Sequence, residues 1–494
     1  MNHPTTEPER QPTMIADRLA HEIKRLRNAA GLSQRVLASK IGYSRQYVTM
    51  TEWEDSTLPS HELVAAIDAA LGADGQLVAL RQRADVERRS LRDQEVDNKQ
   101  HISLRAGTRT TIADADMVWR SVRGTLNAHR HTLNSLVEPL YRDAVRIEGT
   151  TCLSCPSWLA PEPVELHTIQ LGFESDTTPP LLDGSEPETA ACRAPRSADN
   201  RYRRYSQAVR EIAKPSLFEN RISYRLLDAS LAAENRYMRF GLTTYFDMVD
   251  TSEVLAHETA AAWMSLRTPD QRISMDHLPF RRLVGDLFDL TRRPVLPSIN
   301  TLTIRRAPDG DTFFLHRRDA TKVATAAGLT HVIPAGVFQP AAIGRANVMH
   351  DFSLWRNMLR EFSEEFLDTP EHDGSSGAPV DYNEEPFQTL NEGVRTSDVK
   401  AWCFGIGLDP MTPAGEILTT AVIDSAVFDT AFAQIVAHNA EGDVYPSDYG
   451  TVGIRWTPTN VRYALDHEPL APAAAACLAL TWRHRDLLLP ARES

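Results

Sequence analysis

The sequence predicts a multidomain protein with an all-α head, an α+β middle region and an α/β C-terminal domain. The first reason is length, because 494 residues are far more than the about 100–200 residues of a single domain. The second is a dense run of helix formers over residues 14–80, and the third is the alternation of strand-like and helix-like segments after residue 290. The predicted parts are the head (1–80), a charged linker (81–116), the middle region (117–290) and the C-terminal domain (291–494).

The composition is typical of a folded cytoplasmic protein. Apolar residues make up 42% of the chain and charged residues 24%, as in ordinary globular proteins. The polar N-terminus, Met1–Glu7, lacks the features of a signal peptide, and the longest apolar run, Ala471–Leu480, is too short for a bilayer. Five scattered cysteines do not form the pattern of a disulfide scaffold. A secreted protein and a membrane protein are therefore not expected.

The head contains a segment, Gln34–Thr51, with the residue types of two short helices joined by a tight turn. When Gln34 is counted as the first position, Ala38 is the fifth and Gly42 is the ninth. The fifth position must be small because the helices cross there, and glycine suits the ninth because the turn needs a left-handed backbone. Ser33 is a suitable N-cap for the first helix. This spacing predicts a helix-turn-helix.

Charge supports a nucleic-acid role for the head alone. The whole chain carries a net charge of −13, which argues against a protein covered with nucleic acid. The first 50 residues instead contain eight basic and four acidic side chains, a local basic patch of the kind that attracts DNA phosphates. An acidic run, Glu52–Asp55, follows the motif directly. We expect this run to point away from the phosphates or to weaken affinity.

Residues 14–80 resemble the Cro/CI-type (xenobiotic-response-element) helix-turn-helix family. In that family the second helix of the pair enters the major groove, while the start of the first helix meets phosphate. The resemblance implies that Arg45, Gln46 and Thr49 read base edges and that Gln34 contacts a phosphate. The predicted partner is double-stranded operator DNA, bound by a homodimer on an inverted repeat. A helical bundle used only for protein contacts is the alternative.

A second informative segment is a helix predicted over residues 352–367. At about 100° per residue, Glu361, Glu364 and Glu365 fall within about a third of a turn of one another. Next to them runs a predicted apolar stripe, which consists of Leu354, Met358, Phe362 and Phe366. Converging carboxylates are typical of sites for Mg²⁺ or Mn²⁺, which in turn hold phosphates. A solvated acidic helix face is the alternative.

The residues Arg360–Glu365, after a strand that ends in Pro334-Ala335-Gly336, resemble the end of a Nudix box, and the strand 313–318 resembles an early strand of that family. The resemblance implies that Arg360 orients the glutamates and that Glu361, Glu364 and Glu365 hold the divalent metal. On the neighbouring strand, Arg317 and Arg318 are expected to reach phosphate oxygens.

The box departs from the family pattern at four places. Ala342 stands where the upstream glutamate is expected, and Ala335 and Asp368 stand where glycines are usual. Residues 343–359 form a spacer of 17 residues where the family has seven. Because metal-assisted attack tolerates little misplacement, these departures predict slow or no hydrolysis, and no catalytic residue is assigned. The predicted protein is a bacterial regulator whose Nudix-like C-terminal domain senses a nucleotide-type phosphorylated ligand. The alternative is a metal-dependent pyrophosphohydrolase that its head localises.

Overall fold

In the computed structural model the chain forms two compact units, each described here by itself. The head unit comprises Met1–Arg109 with Ile343–Met349, and the large unit comprises Thr110–Ala342 with His350–Ser494. The residues that the structure describes are 15–41, 48–49, 51–52, 59, 61–84, 87, 112–197, 200–214, 218–266, 272–318, 329–342, 345–369, 379–433, 442–444 and 453–491.

Short helices with buried apolar faces build the head unit. They are α1 (Ile15–Ala29), α2 (Gln34–Ile41), α3 (His61–Leu71) and α4 (residues 76–84). α3 contacts both α1 and α2, and Ile23, Leu37 and Ile67 are completely buried. The Ser33 hydroxyl accepts the backbone N–H of Val36 at 3.2 Å, which confirms the predicted N-cap of α2.

Helices and strands alternate irregularly along the rest of the chain. The helices are α5 (Ile112–Val137), α6 (Tyr205–Ala208), α7 (Tyr245–Met248), α8 (Val254–Ser265), α9 (Pro279–Val284), α10 (Arg345–His350), α11 (Leu354–Leu367), α12 (Phe387–Thr396), α13 (Ser425–Ala431), α14 (Pro458–His467), α15 (Pro472–Arg483) and α16 (Arg485–Leu488). Two π-helical turns, Val209–Ala213 and Val249–Glu253, follow α6 and α7. The strands are β1 (Val145–Arg146), β2 (Leu153–Ser154), β3 (Leu159–Glu165), β4 (Gln170–Phe173), β5 (Ile222–Ser230), β6 (Tyr237–Thr244), β7 (Pro297–Arg306), β8 (Thr312–Phe313), β9 (Leu315–Arg318), β10 (Thr330–Val332), β11 (Ala335–Val337), β12 (Val399–Leu408), β13 (Gly415–Asp424), β14 (Gly442–Val444) and β15 (Ile454–Arg455).

A mixed sheet is the centre of the large unit. Within the described residues it has nine strands in the order β1-β2-β12-β13-β7-β8-β15, with β3 paired to β12 and β11 paired to β7. β7 and β13 are parallel, and β12 runs antiparallel to β13. α15 packs on β7, β12 and β13, where its Ala474, Cys477 and Leu478 are completely buried. Two further three-stranded sheets have the orders β10-β9-β14 and β4-β6-β5.

The predicted boundary at residues 290 and 291 lies inside the large unit. β3, from the predicted middle region, pairs with β12, from the predicted C-terminal domain, so that Trp402 faces Glu165. The guanidinium of Arg281 donates hydrogen bonds to the carbonyls of Pro410 at 2.6 Å and Met411 at 3.0 Å. The two predicted domains share one sheet because β12 would otherwise present unpaired backbone groups along its edge.

The predicted linker, 81–116, is shorter in the structure. α4 continues to residue 84 and α5 begins at Ile112, while 88–111 lies outside the described residues. No helix in the described part of the chain is both long enough and apolar enough to span a bilayer.

α11 matches its prediction closely. It runs over Leu354–Leu367, one face of it carries the predicted apolar stripe, and every member of that stripe is buried. The Ser353 hydroxyl accepts the N–H of Arg356 at 3.3 Å and caps the helix. At the other end Asp368 adopts a left-handed backbone with φ 53° and forms the C-cap of the helix. Aspartate tolerates this conformation better than most side chains do.

Candidate functional site

The helix-turn-helix segment is packed as its spacing predicts. Leu37 and Ala38 on α2 are buried, and Val48, at the start of the second predicted helix, is completely buried. α2 lies against α3. Of the predicted base readers, Thr49 is described, whereas Arg45 and Gln46 lie outside the described residues together with the turn glycine Gly42.

A buried ion pair holds the end of this segment. Glu52 and Arg27 are each 8% exposed. The Arg27 Nη2 donates to Glu52 Oε2 at 2.9 Å, its Nε donates to Glu52 Oε1, and its Nη1 donates to the Leu32 carbonyl at 2.7 Å. A fork of this kind neutralises the carboxylate and fixes its orientation. Glu52 is therefore compensated inside the domain by Arg27 and is not left as an unpaired negative charge. That the run points away from the phosphates stays a prediction, and residues 53–55 lie outside the described part.

Gln34 and Thr49 are joined to the same ion pair. The Gln34 Nε2 donates to Glu52 Oε2 at 2.9 Å, and the Thr49 hydroxyl donates to Gln34 Oε1 at 3.0 Å. The first residue of α2 is thus connected to the second predicted helix through side chains. An amide nitrogen has two N–H groups, so Gln34 keeps a second donor after it has bound Glu52.

In the large unit the predicted metal ligands of α11 lie against β11. Glu365 is 3% exposed, its Oε1 accepts the backbone N–H of Ala335 at 3.1 Å, and its Oε2 is 3.9 Å from His316 Nδ1. The carboxylate of Glu361 lies directly over Gly336, where an added Cβ would be only 1.9–2.1 Å from its atoms. Glu364 is half-buried on the same helix.

A divalent cation at these carboxylates stays a prediction. A magnesium or manganese site needs several carboxylate oxygens directed at one point, whereas Glu361 and Glu365 are packed against different residues of β11. Among the residues that the structure describes, no three His, Cys, Asp or Glu side chains are grouped so that they could hold a metal. We therefore derive no chemical step from a metal at α11.

Arg360 does not orient the glutamates in the way that the Nudix resemblance implies. It is 3% exposed and donates to the Tyr382 hydroxyl at 2.6 Å, the Gln339 carbonyl at 2.6 Å and Asn357 Oδ1 at 2.9 Å. Its ion-pair partner is Asp351, at 3.6 Å. Burial alone would lower the pKa of Arg360, but Tyr382 and Asp351 hold this pKa above its ordinary value.

The two arginines of β9 are not brought to the carboxylates together. His316 is completely buried and faces Glu365, and Arg317, the next residue of the strand, is exposed. Successive side chains of a strand point to opposite faces, so Arg317 points away from α11. Arg318 belongs to β9 by its backbone, but its side chain lies outside the described part of the chain.

A pocket that the sequence did not predict lies on the other side of α11. It has a volume of about 230 Å³, and its walls include Trp355, Arg356, Tyr382 and Asn391. The Arg356 guanidinium lies 4.9 Å from the centroid of the Tyr382 ring, and Trp355 Nε1 donates to Asn391 Oδ1 at 2.8 Å. At about 100° per residue, Arg356 is on the side of α11 opposite Glu365, and Trp355 is about 80° from it. None of the three predicted metal ligands is among the residues that line the pocket. The pocket and the predicted metal ligands are therefore separate features.

Sequence reasoning also missed a buried charge cluster. Glu253, 1% exposed, accepts hydrogen bonds from Arg123 Nη1 and Arg130 Nη2, both at 2.8 Å, and from the Thr412 hydroxyl at 2.9 Å. Burial would raise the pKa of Glu253, but Arg130 and Arg123 hold it below its ordinary value. The four residues come from three distant segments of the chain, α5, the turn at Glu253 and the loop at Thr412, so no local spacing signals their contact.

Comparison with known families supports the interpretation of the head. Residues 18–91 match the model of a family described as a helix-turn-helix domain. The match includes α2, α3, α4 and the ion pair of Arg27 with Glu52. No curated protein matches the chain. The chain carries a helix-turn-helix domain near its N-terminus, followed by a mixed α/β region.

Proposed function

We propose that this protein is a transcription regulator that binds double-stranded operator DNA with sequence specificity through its helix-turn-helix domain. The observation that carries the proposal is the family match over residues 18–91, together with the buried Ala38 and Val48 at the predicted positions. The protein acts as a homodimer on an inverted repeat, because a two-fold dimer presents two recognition helices about one helical turn of DNA apart.

The roles of individual side chains follow from their positions in the motif. Arg45, Gln46 and Thr49 read base edges, and the second amide N–H of Gln34 binds a phosphate. The ion pair with Arg27 removes the repulsion that Glu52 would exert on DNA. The bond from Thr49 to Gln34, which is bound to Glu52, orients the recognition helix against α2.

The test is selection of binding sites from random duplex DNA with the full chain, followed by titration of the selected duplex. Arg45→Ala is expected to weaken binding by about 1–3 kcal/mol and to relax the preference at one base pair. Arg395→Ala, at an exposed arginine of the large unit, is the control and is expected to leave affinity unchanged. The proposal fails if no sequence is enriched, or if Arg45→Ala binds every variant of the selected site as the parent does.

A second proposal concerns the large unit, which we propose binds a nucleotide-type ligand in the pocket beside α11. Aromatic faces, a guanidinium and amide groups line this pocket, and such groups stack on bases and bind phosphate or polar base edges. Ligand pockets commonly enclose roughly 300–1,000 Å³, so a pocket of about 230 Å³ accommodates only one part of a nucleotide.

This second proposal is tested by thermal unfolding of the full chain with individual nucleotides, in the presence and absence of Mg²⁺ or Mn²⁺. A ligand that binds the folded state raises the unfolding temperature. We expect a rise that Trp355→Ala abolishes, that Trp355→Phe retains in part, and that Glu364→Gln leaves intact. If the rise in unfolding temperature requires metal and is lost only in Glu364→Gln, the ligand binds at the carboxylates of α11 instead. Hydrolysis at about 1 per second or faster would favour the pyrophosphohydrolase.

A further inference from the structure

A second basic region of the chain lies outside the helix-turn-helix domain. The segment Arg193–Lys214 contains seven basic and two acidic residues, which gives a net charge of +5 in a chain whose total is −13. It belongs to the large unit and to the middle region, for which the sequence offers no motif. A positive segment in an acidic protein is expected to have an anionic partner.

The arginines of this segment are interlocked through the backbone. Arg201 Nη1 donates to the carbonyl of Arg193 at 2.7 Å, and Arg193 Nη1 donates to the carbonyl of Arg203 at 2.9 Å. A β-bridge between Pro195 and Arg201 closes the loop. These bonds hold the guanidinium groups of Arg193 and Arg201 in a defined arrangement, so that less conformational entropy is lost when they bind a ligand.

Three of the four clustered arginines have no carboxylate partner among the described residues. Arg204 pairs with Asp183, with 2.7 Å between Nη2 and Oδ2. No ion pair with a described acidic residue joins Arg193, Arg201 or Arg203, and the side chains of Arg201 and Arg203 are exposed. We call Arg193, Arg201, Arg203 and Arg204 the arginine cluster.

The acidic groups next to the arginine cluster bind other partners. Both carboxylate oxygens of Glu186 accept backbone N–H groups, from Asp183 at 2.8 Å and from Gly184 at 2.9 Å. Glu211 accepts the hydroxyl of Tyr202 at 3.0 Å. Burial, followed by the charges of Arg204 and Arg201, lowers the pKa of Arg193. Arg204 and Arg201 repel the charge of Arg193, and Glu186 and Asp250 offset part of that repulsion.

We propose that the arginine cluster is a second contact with DNA, which binds phosphates of the duplex without reading the sequence. The inference rests on the proposed function, because the helix-turn-helix domain supplies the polyanion. Arginine suits this role because its planar guanidinium binds two phosphate oxygens at once and keeps its charge at any physiological pH. A duplex presents one phosphate for about every 1.7 Å of its length, so a cluster of neighbouring guanidiniums has several phosphates within reach.

The experiment measures how the affinity of the full chain for DNA depends on salt. The probe is a duplex of mixed sequence without the selected site, since each phosphate contact contributes about −0.9 to the slope of log affinity against log salt. In Arg201→Gln/Arg203→Gln we expect the slope to become shallower by about 2, and in Arg203→Gln alone by about 1. The control, Arg282→Gln/Arg395→Gln, removes the same charge from two exposed arginines of the large unit and is expected to retain the parent slope.

The outcomes separate this inference from the proposed function. If the control lowers the slope as much as the cluster variants do, only net charge matters and the inference is overturned. If the cluster variants keep the parent slope, the inference about the arginine cluster is overturned as well, even when selection enriches a clear operator. A change in oligomeric state of Arg201→Gln/Arg203→Gln with an unchanged slope would assign the cluster to an acidic protein surface and would also overturn it. If selection enriches no sequence but the cluster variants show a shallower slope, the proposed function is refuted and the role of the arginine cluster is supported.

Discussion

Two buried carboxylates, one in each unit, differ in where their partners come from. Glu52 of the head unit is held by Arg27, 25 residues away in the chain, and both belong to one compact motif. Glu253 of the large unit is held by Arg130 and Arg123, which are 123 and 130 residues away, and by Thr412, 159 residues away. A local pair is formed when a few neighbouring helices pack. A pair of distant residues requires the whole unit to fold, so its loss should affect the whole unit.

The largest effect is expected at Glu253. Glu253→Gln leaves two buried guanidiniums without their negative charge, which costs about 3–5 kcal/mol in the free energy of unfolding. Chemical unfolding of the full chain, followed by tryptophan fluorescence, reports mainly on the large unit because seven of the eight tryptophans belong to it. The matched change at the exposed Glu392 should cost about 0.5 kcal/mol or less. An equal loss at both positions would mean that distant ion pairs are not what stabilises this unit.

The next effect concerns pH and the buried Asp250 of the large unit. Its carboxylate accepts the N–H of Ser206 at 2.6 Å, and burial raises its pKa to about 7. The unfolded chain releases this proton near about pH 4. Because the folded state holds the proton more tightly, the contribution of Asp250 to stability is present at low pH and is lost as the pH rises through 7.

Asp250→Asn, which cannot titrate, should remove this loss. The difference in unfolding free energy between variant and parent is therefore expected to move in favour of the variant as the pH rises from about 4 to 8. Urea unfolding at a series of pH values measures it. A difference that stays constant over the whole range would show that Asp250 is ionised in the folded protein as in the unfolded one.

A smaller and more local effect is expected at Glu52. Glu52→Gln removes the charge that compensates Arg27 and should cost about 2 kcal/mol. Hydrogen exchange of the full chain, read in peptides from α1 and α2, is expected to accelerate there and to stay unchanged in the large unit. Glu22→Gln, on the exposed side of α1 beside Arg25, serves as the control. Faster exchange throughout the large unit would contradict the local character of the pair.

The smallest effect should be the same in both units. Ser33 and Ser353 cap α2 and α11 through equivalent bonds to the third following residue. Ser33→Ala and Ser353→Ala should each cost about 0.5–1 kcal/mol, and Asp at either position should restore the cap. Denaturant unfolding of the four variants measures both. Clearly unequal losses of unfolding free energy would show that tertiary packing, and not the cap itself, determines the stability of these helix ends.

The same contrast explains what could be predicted from the sequence. The Ser33 cap, the apolar stripe of α11 and the buried Ala38 depend on neighbours within a few residues, and their predictions are confirmed. The pairing of β3 with β12 and the partners of Glu253 depend on chain segments that periodicity does not connect. For that reason one continuous large unit was predicted as two domains.

The candidate sites divide in the same way. In the head the spacing placed Gln34 and Thr49 correctly in the motif, but it could not reveal that both are bound to the Glu52 ion pair. On α11 helical geometry put Glu361 and Glu365 on one face, and β11, whose position the sequence does not specify, occupies that face. The roles of Arg45 and Gln46 stay predictions, as does a metal at Glu364.

The contact between Glu361 and Gly336 has a consequence for how such motifs are recognised in genomes. The carboxylate of Glu361 occupies the place that a Cβ on residue 336 would take, so a larger residue there would require the Glu361 side chain to move. This contact between a glycine and a glutamate needs no bound pyrophosphate. A sequence search that treats this glycine and glutamate as a mark of hydrolases would also return proteins in which the two residues are only in packing contact. Ala342, at the position of the upstream glutamate of the pattern, takes no part in this contact.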